Sequence, residues 1–260
     1  MPRSAEAVLF PREHGAYGQL LFPLLCALLI GHPSPGAYLL AASAVAAFLA
    51  HEALLVVLGQ RGKRAMREEG VDARRSLALF GGFCAVTGTV SLVVASFEAL
   101  SYLLVPLIFG VFVAVAVFTH RERSTGGELL VAAALSSVSL PIAIAGSVPH
   151  LAAVTLFIVF AAVFVSATVG VRSMIGRVSK AGGPPPGVSA ALTLAILTGL
   201  AVAAQGNRLA PIAPFAALPV CAVCLGLSVR PPSPKFLRPV GWTLIGATAL
   251  TAVILVVQLG

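Results

Sequence analysis

The stretch GAYLLAASAVAAFLAHEALLVVLG (residues 36–59), followed at once by QRGKRAMREEGVDARR (60–75), decides the fold. The first part is apolar except for Ser43 and the pair His51–Glu52. A helix needs roughly 20 such residues to cross the hydrocarbon core of a bilayer. With no water there, only a helix or a closed barrel satisfies the backbone N–H and C=O groups, and the run lacks the alternation of polar and apolar positions that a barrel strand requires. The second part carries Arg61, Lys63, Arg64, Arg67, Arg74 and Arg75 against Glu68, Glu69 and Asp72. It reads as an aqueous loop on the side of the membrane that collects positive charge.

Outward from this pair the same alternation repeats along the chain. The spacing predicts an all-α integral membrane protein, one transmembrane domain over residues 1–260. Nine helices are expected at about 16–31, 36–59, 76–96, 99–119, 128–147, 150–172, 187–205, 209–229 and 239–259. Composition agrees. Of 260 residues 58% are hydrophobic and 10% charged, with mean hydropathy +1.01, whereas soluble domains carry about 25% charged residues. With the N-terminus cytoplasmic and the C-terminus outside, sixteen of the seventeen lysines and arginines fall on the cytoplasmic side and Arg208 alone falls opposite. An error of one helix would scramble that division. The start, MPRSAEAVLFPREHG, lacks the compact apolar run and cleavage site of a secretory signal, so the first helix is expected to be retained. The net charge of +8 fits inner loops that meet anionic lipid. No nucleic-acid-binding module accompanies it.

Four segments concentrate polar groups at the cytoplasmic ends of helices. PREHGAYGQLLFP (11–23) brings Arg12, Glu13 and His14 to the first helix, as a site or as an interfacial anchor. AHEALLVVLGQRGKRA (50–65) buries His51 and Glu52 within an apolar run, where ionisable groups are costly and mark functional sites or locked ion pairs. Arg61 and Arg64 follow, able to hold an anion such as a diphosphate or simply to orient the loop. THRERSTGGELL (119–130) contains His120, Glu122 and Glu128, the last equally well read as a carboxylate at a helix N-terminus. ATVGVRSMIGRVSKAGG (167–183) supplies Arg172, Arg177 and Lys180, which also suit a helix C-terminus. His14, His51 and His120 each stand within two residues of a glutamate, so a divalent metal is one reading of the trio. The loops after helices 2 and 6 hint at two similar halves.

Other chemistries are excluded or unsupported. There is no Walker A motif, no G-x-S-x-G and no H-E-x-x-H. The helix centres hold no charge, which weighs against an ion relay across the membrane. Cys26, Cys84, Cys221 and Cys224 lie in apolar segments, and the spacing of Cys221 and Cys224 places both on one helix face as packing residues.

The PREHGA start and the HE-x-LL-x-x-LG-x-RG-x-RA stretch at 51–65, with RERSTGGELLVAAALSSVSLPIAIAG (121–146), resemble the YwiC-like family of bacterial membrane proteins. More distantly, nine helices with polar inner loops after helices 2 and 6 look like the UbiA superfamily of intramembrane prenyltransferases. Arg12, Gly18 and Pro23 match its first helix, His51–Glu52 the start of its first Asp-rich motif, and Arg172 an arginine of its second. The aspartates expected after Arg172 are replaced by Arg177 and Lys180, so the usual pair of magnesium ions is not implied. What the resemblance implies is a UbiA-like bundle in the bacterial cytoplasmic membrane, acting on a prenyl or other lipid diphosphate. Its catalytic candidates are Glu52, His51 and His14. Its substrate-binding candidates are Arg12, Glu13, Arg61, Arg64, His120, Glu128, Arg172 and Arg177. A carrier for a small anion or amphiphile, and a non-catalytic subunit or lipid-binding protein, are the alternatives.

The topology has a direct test. Reporter fusions ending after residue 123 or 182 are expected to report the cytoplasm, and fusions after 34 or 207 the opposite side; any exchange between these sets would overturn the nine-helix count.

Overall fold

The computed structural model describes residues 14–122, 124–176, 183–230, 232–233 and 236–260. Among them there are helices and connections and no strand. The helices are α1 (His14–Ile30), α2 (Pro35–Val57), α3 (Lys63–Val94), α4 (Phe97–Tyr102), α5 (Leu104–Phe118), α6 (Thr125–Ser137), α7 (Ser139–Ala145), α8 (His150–Gly176), α9 (Pro186–Gln205), α10 (Ala213–Val229) and α11 (Leu237–Leu259). The pairs α4–α5 and α6–α7 each make one pass, Phe97–Phe118 and Thr125–Ala145. Seven passes are long and apolar enough to cross a membrane, and α1 and α10 add two shorter apolar helices. The chain is a multi-pass all-α membrane protein, and its described residues hold an apolar helical segment for each of the nine passes expected.

Two of the passes are broken for the same reason. Proline has no N–H to donate to the carbonyl four residues back. For Pro106 that carbonyl belongs to Tyr102, the last residue of α4, and for Pro141 to Ser137, the last residue of α6. The chain re-enters a helix after one residue in each case, Leu103 or Val138.

The structure departs from expectation most at α3, which begins at Lys63 rather than 76. The basic segment is therefore a helical extension, and the loop shrinks to Leu58–Gly62. Ala, Met, Arg and Glu are strong helix formers, and Arg64 Nε donates to Glu68 Oε1 at 2.9 Å one turn on. Gly59, at φ 73°, ends α2 with Gln60 N–H donating to Leu55 O, the left-handed helix stop that favours glycine. At the other extreme α10 starts at Ala213 rather than 209, because Pro211 and Pro214 fix extended or first-turn backbone there.

Helix α8 is the hub. It packs on α6, α7, α9, α10, α11 and α1 and buries Leu156, Val159, Phe160 and Val163 completely, with Phe160 stacked on Phe164 at 5.7 Å. Hydroxyls stitch the interior where water is missing. Ser166 and Thr193 share a hydrogen bond at 2.8 Å, and Ala210 N–H donates to Thr155 Oγ1 at 2.9 Å. Cys221 and Cys224 are free, fully buried thiols of α10, and the Cys224 sulfur would stand 3.6 Å from a Cβ at Gly170 of α8.

Helices α2 and α3 form an antiparallel hairpin with the most extensive pairing in the fold. Small residues let the backbones approach. Ser43 Oγ donates to Cys84 O at 3.2 Å, and a Cβ at Gly88 would stand 3.1 Å from Ser43 Oγ. At Gly36 a Cβ would stand 2.9 Å from Ala95 Cα, a backbone atom that has no room to retreat. The outward faces of α3 and α5, including Val86, Val90, Leu107, Val111 and Phe112, are exposed as lipid-facing surfaces should be.

Gly36→Ala is expected to destabilise the protein by about 1–3 kcal/mol through overpacking, read as a lower thermal midpoint in nanodiscs. Wild-type stability in this variant would mean that the outer seam of the hairpin is looser than described.

Candidate functional site

The polar groups at the end of the bundle that holds the α2–α3 turn meet around one short loop between α5 and α6. That loop is fixed by its own hydrogen bonds. His120, at φ 54°, ends α5 in the left-handed conformation, with Arg121 N–H donating to Ala116 O at 2.8 Å. Ser124 caps α6: its Oγ accepts from Gly127 N–H at 3.1 Å and donates to Arg121 O at 2.7 Å. Gly127 lies directly against the carbonyls of Arg121 and Glu122, where a Cβ would overlap both. The tight loop presents Glu122 to one side, and the first turn of α6 presents Thr125 and Glu128 to the other.

On the first side stands Arg61, in the turn after α2. Its Nε and Nη2 donate to the two oxygens of Glu52 at 2.8 and 2.6 Å, and its Nη1 donates to Glu122 Oε1 at 3.0 Å. The three side chains retain 17%, 14% and 20% of their exposure for Arg61, Glu52 and Glu122. A guanidinium fork suits this two-carboxylate geometry, as an ammonium would not. With both glutamates ionised the cluster carries one net negative charge.

On the second side, Arg172 near the end of α8 donates from Nε and Nη2 to both oxygens of Glu128 at 2.6 and 2.5 Å, and from Nη1 to Thr125 Oγ1 at 3.3 Å. Glu128 sits in the first turn of α6, where the helix dipole also favours a carboxylate. The α5–α6 loop thus ties the α2–α3 hairpin to α8 through two arginine–carboxylate clamps.

Of the residues expected at the site, the structure brings together Glu52 with Arg61, and Glu128 with Arg172. His51 is half-buried beside Glu52 on α2. Arg64 points into water, 88% exposed, and pairs with Glu68 of its own helix instead. His120 serves as the stop of α5 and its side chain is exposed. Arg12, Glu13, Arg177 and the side chain of His14 lie outside the described residues. Glu122 and Thr125 complete the clamps and were not among the candidates; the polar run 119–125 was their only signal. Among the described residues no three His, Cys, Asp or Glu side chains are grouped to hold a metal ion.

A second feature adjoins the first clamp. Between α1 and the α2–α3 hairpin runs an entirely apolar cleft of about 500 Å³, lined by Leu24, Ala42, Ala46, Leu49, Phe80 and Phe83 among others. Leu49 precedes Glu52 by three residues, about 4.5 Å along the helix. The innermost α2 residue of the cleft lies about one helical turn from Glu52.

A further cluster, unanticipated, lies at the opposite end of the fold. His150 Nε2 bonds Glu98 Oε1 at 2.5 Å, and Tyr102 OH bonds His150 Nδ1 at 2.8 Å. Glu98 and His150 are each 56% exposed, so the group is a surface tie between α4 and α8, of the kind that contributes little to stability.

The clamps make different demands on their arginines. Arg61→Ala leaves two half-buried carboxylates facing each other and is expected to cost about 2 kcal/mol or more, whereas Arg64→Ala should stay within about 0.5 kcal/mol of wild type. Thermal unfolding of the two variants side by side checks this; equal midpoints would show that the first clamp is not structural.

A sequence model of the family described as YwiC-like protein matches residues 10–143, which include α1 to α6 and the first clamp. Comparison with curated proteins and with solved structures finds no match. The matched region covers just over half of the chain and holds every residue of the polar cluster except Arg172, and on that ground the chain belongs to the YwiC-like family.

Proposed function

We propose that the protein binds a prenyl or other lipid diphosphate, its tail in the apolar cleft and its head at the cytoplasmic layer, and acts there as a UbiA-like transferase in a bacterial cytoplasmic membrane. The observation that supports this reading is the cleft itself, wholly apolar, whose lining residue Leu49 lies one turn of α2 before Glu52. An amphiphile is the ligand whose two ends such a site matches.

The chemistry follows from the residues present. In alkyl transfer the bond from the allylic carbon to the diphosphate oxygen breaks, and its electron pair leaves with the diphosphate. The carbon becomes cationic, an acceptor attacks it, and the acceptor loses a proton. In this reading Glu52 and Glu122 would stabilise that cation. His51, half-buried next to Glu52 on α2, would take the proton. The exposed Lys63, Arg64 and Arg67 at the start of α3 would receive the departing diphosphate. Arg61 and Arg172 are engaged by carboxylates, so in this reading they hold the site's shape rather than the phosphate.

Thermal stability in lipid nanodiscs, measured against prenyl diphosphates with magnesium and with chelator, tests the reading. A ligand at a hundredfold excess over its dissociation constant stabilises by about 2.7 kcal/mol. Stabilisation by a prenyl diphosphate, lost in the triple variant K63A/R64A/R67A, is the expected result. No shift with any diphosphate in folded protein would overturn it and favour the carrier reading, to be followed by flux assays in proteoliposomes.

A further inference from the structure

Away from the cleft, a buried hydroxyl lacks a partner where three helices meet. Among the described residues, Ser189 Oγ and Thr251 Oγ1 are the buried side-chain oxygens without a hydrogen bond. Ser189, in the first turn of α9, is 1% exposed. The hydroxyls around it are committed: Thr193 Oγ1 donates to Ser189 O at 2.9 Å and bonds Ser166 Oγ at 2.8 Å. Facing it is Gly170 of α8, where a Cβ would lie 3.7 Å from Ser189 Oγ and 3.6 Å from Cys224 Sγ. The missing side chain leaves a space the size of a methyl group, on which the hydroxyl and the thiol converge. Cys221 precedes Cys224 by one turn on the same face of α10, and both thiols are free and fully buried.

From this arrangement we infer that Cys221 and Cys224 form a binding site for a soft monovalent metal ion of the Cu(I) class, supported by the Ser189 hydroxyl. Packing accounts for two small side chains on one helix face. It does not account for the unpartnered hydroxyl beside them. Thiolate ligands select a soft ion, and a pair of sulfurs suits Cu(I) while falling short of the tetrahedral set that Zn(II) takes. Water fits the space poorly, because a buried water needs roughly two to four polar partners and a thiol is weak as donor and as acceptor.

Loading the site balances simply. The ion forms one bond to each sulfur, the two thiol protons leave to water, and copper stays Cu(I) throughout. A thiolate is a strong acceptor where the thiol was a weak one, so Ser189 gains the partner that the metal-free protein denies it. The first turn of α9 also brings the positive end of its dipole to this place. Cys224 precedes the end of α10 at Val229 by five residues, about 7.5 Å, which sets the site near the basic end of the bundle.

The experiment titrates Cu(I) into untagged, reduced protein in lipid nanodiscs against a colorimetric Cu(I) chelator. Wild type is compared with Cys221→Ser, Cys224→Ser, Ser189→Ala and the control Cys84→Ser. Wild type and Cys84→Ser are expected to withhold one equivalent of Cu(I) from the chelator, and both serine variants of the pair to release it. Ser189→Ala is expected to bind about tenfold more weakly, and Zn(II) is not retained. X-ray absorption of the copper-loaded wild type should show a two-coordinate sulfur shell, a readout that needs no variant to fold. The inference is overturned if folded wild type retains no Cu(I), if either serine variant of the pair retains it unchanged, or if the copper shell is nitrogen and oxygen. Stoichiometric retention of Zn(II) overturns it too. So does an unchanged affinity in Ser189→Ala, because that hydroxyl is what separates a site from packing.

Discussion

A charged side chain at the edge of a bilayer is stable only when its hydrogen-bonding capacity is met by other protein groups, and the basic end of this fold is organised by that constraint. Glu52 lies inside an apolar helix, where an unpaired carboxylate would be expelled or neutralised. Arg61 meets it with two parallel hydrogen bonds and uses a further donor on Glu122. That third bond turns a local ion pair into a tie between the hairpin and the α5–α6 loop. Arg172 repeats the arrangement with Glu128 and Thr125. The order of the loop, the direction of α6 and the placement of α8 all meet at these two guanidinium groups.

The same constraint governs the interior, where few charges are present. The hydroxyls of Ser166 on α8, Thr193 on α9 and Ser228 on α10 bond to one another or back to their own helices. Close packing replaces the hydrophobic effect as the cohesive force between helices, because lipid tails are as apolar as the side chains they would displace. The cleft between α1 and the hairpin is the exception to this packing.

Much of this was legible in the sequence. The nine passes followed from the length of the apolar runs, and the pairing of charge with one side followed from where the basic residues fall. The clustering of Glu52 with Arg61 was readable because a buried carboxylate demands a cation. What escaped was conformational. Charged segments such as 63–75 read equally well as loop or as helix, since side-chain polarity reports contact with water and not backbone geometry. Pro106 and Pro141 marked kinks, yet only the hydrogen-bond register shows that each break falls three residues upstream. Glu122 was hidden by its surroundings, one acid among several charges, and its partner lies sixty-one positions away in the chain.

The break at Leu103 leaves α5 with 15 residues, about 22 Å of helix, against a hydrocarbon core of about 30 Å. Its pass is the least buried of the seven long ones, so lipid rather than protein surrounds it. Phe97, 88% exposed on α4, marks where the remainder of the pass reaches the interface. α5 spans only with α4 beside it in the hydrocarbon, the two together 22 residues, about 33 Å of helix, so the kink at Leu103 sits within the lipid-facing wall of the protein.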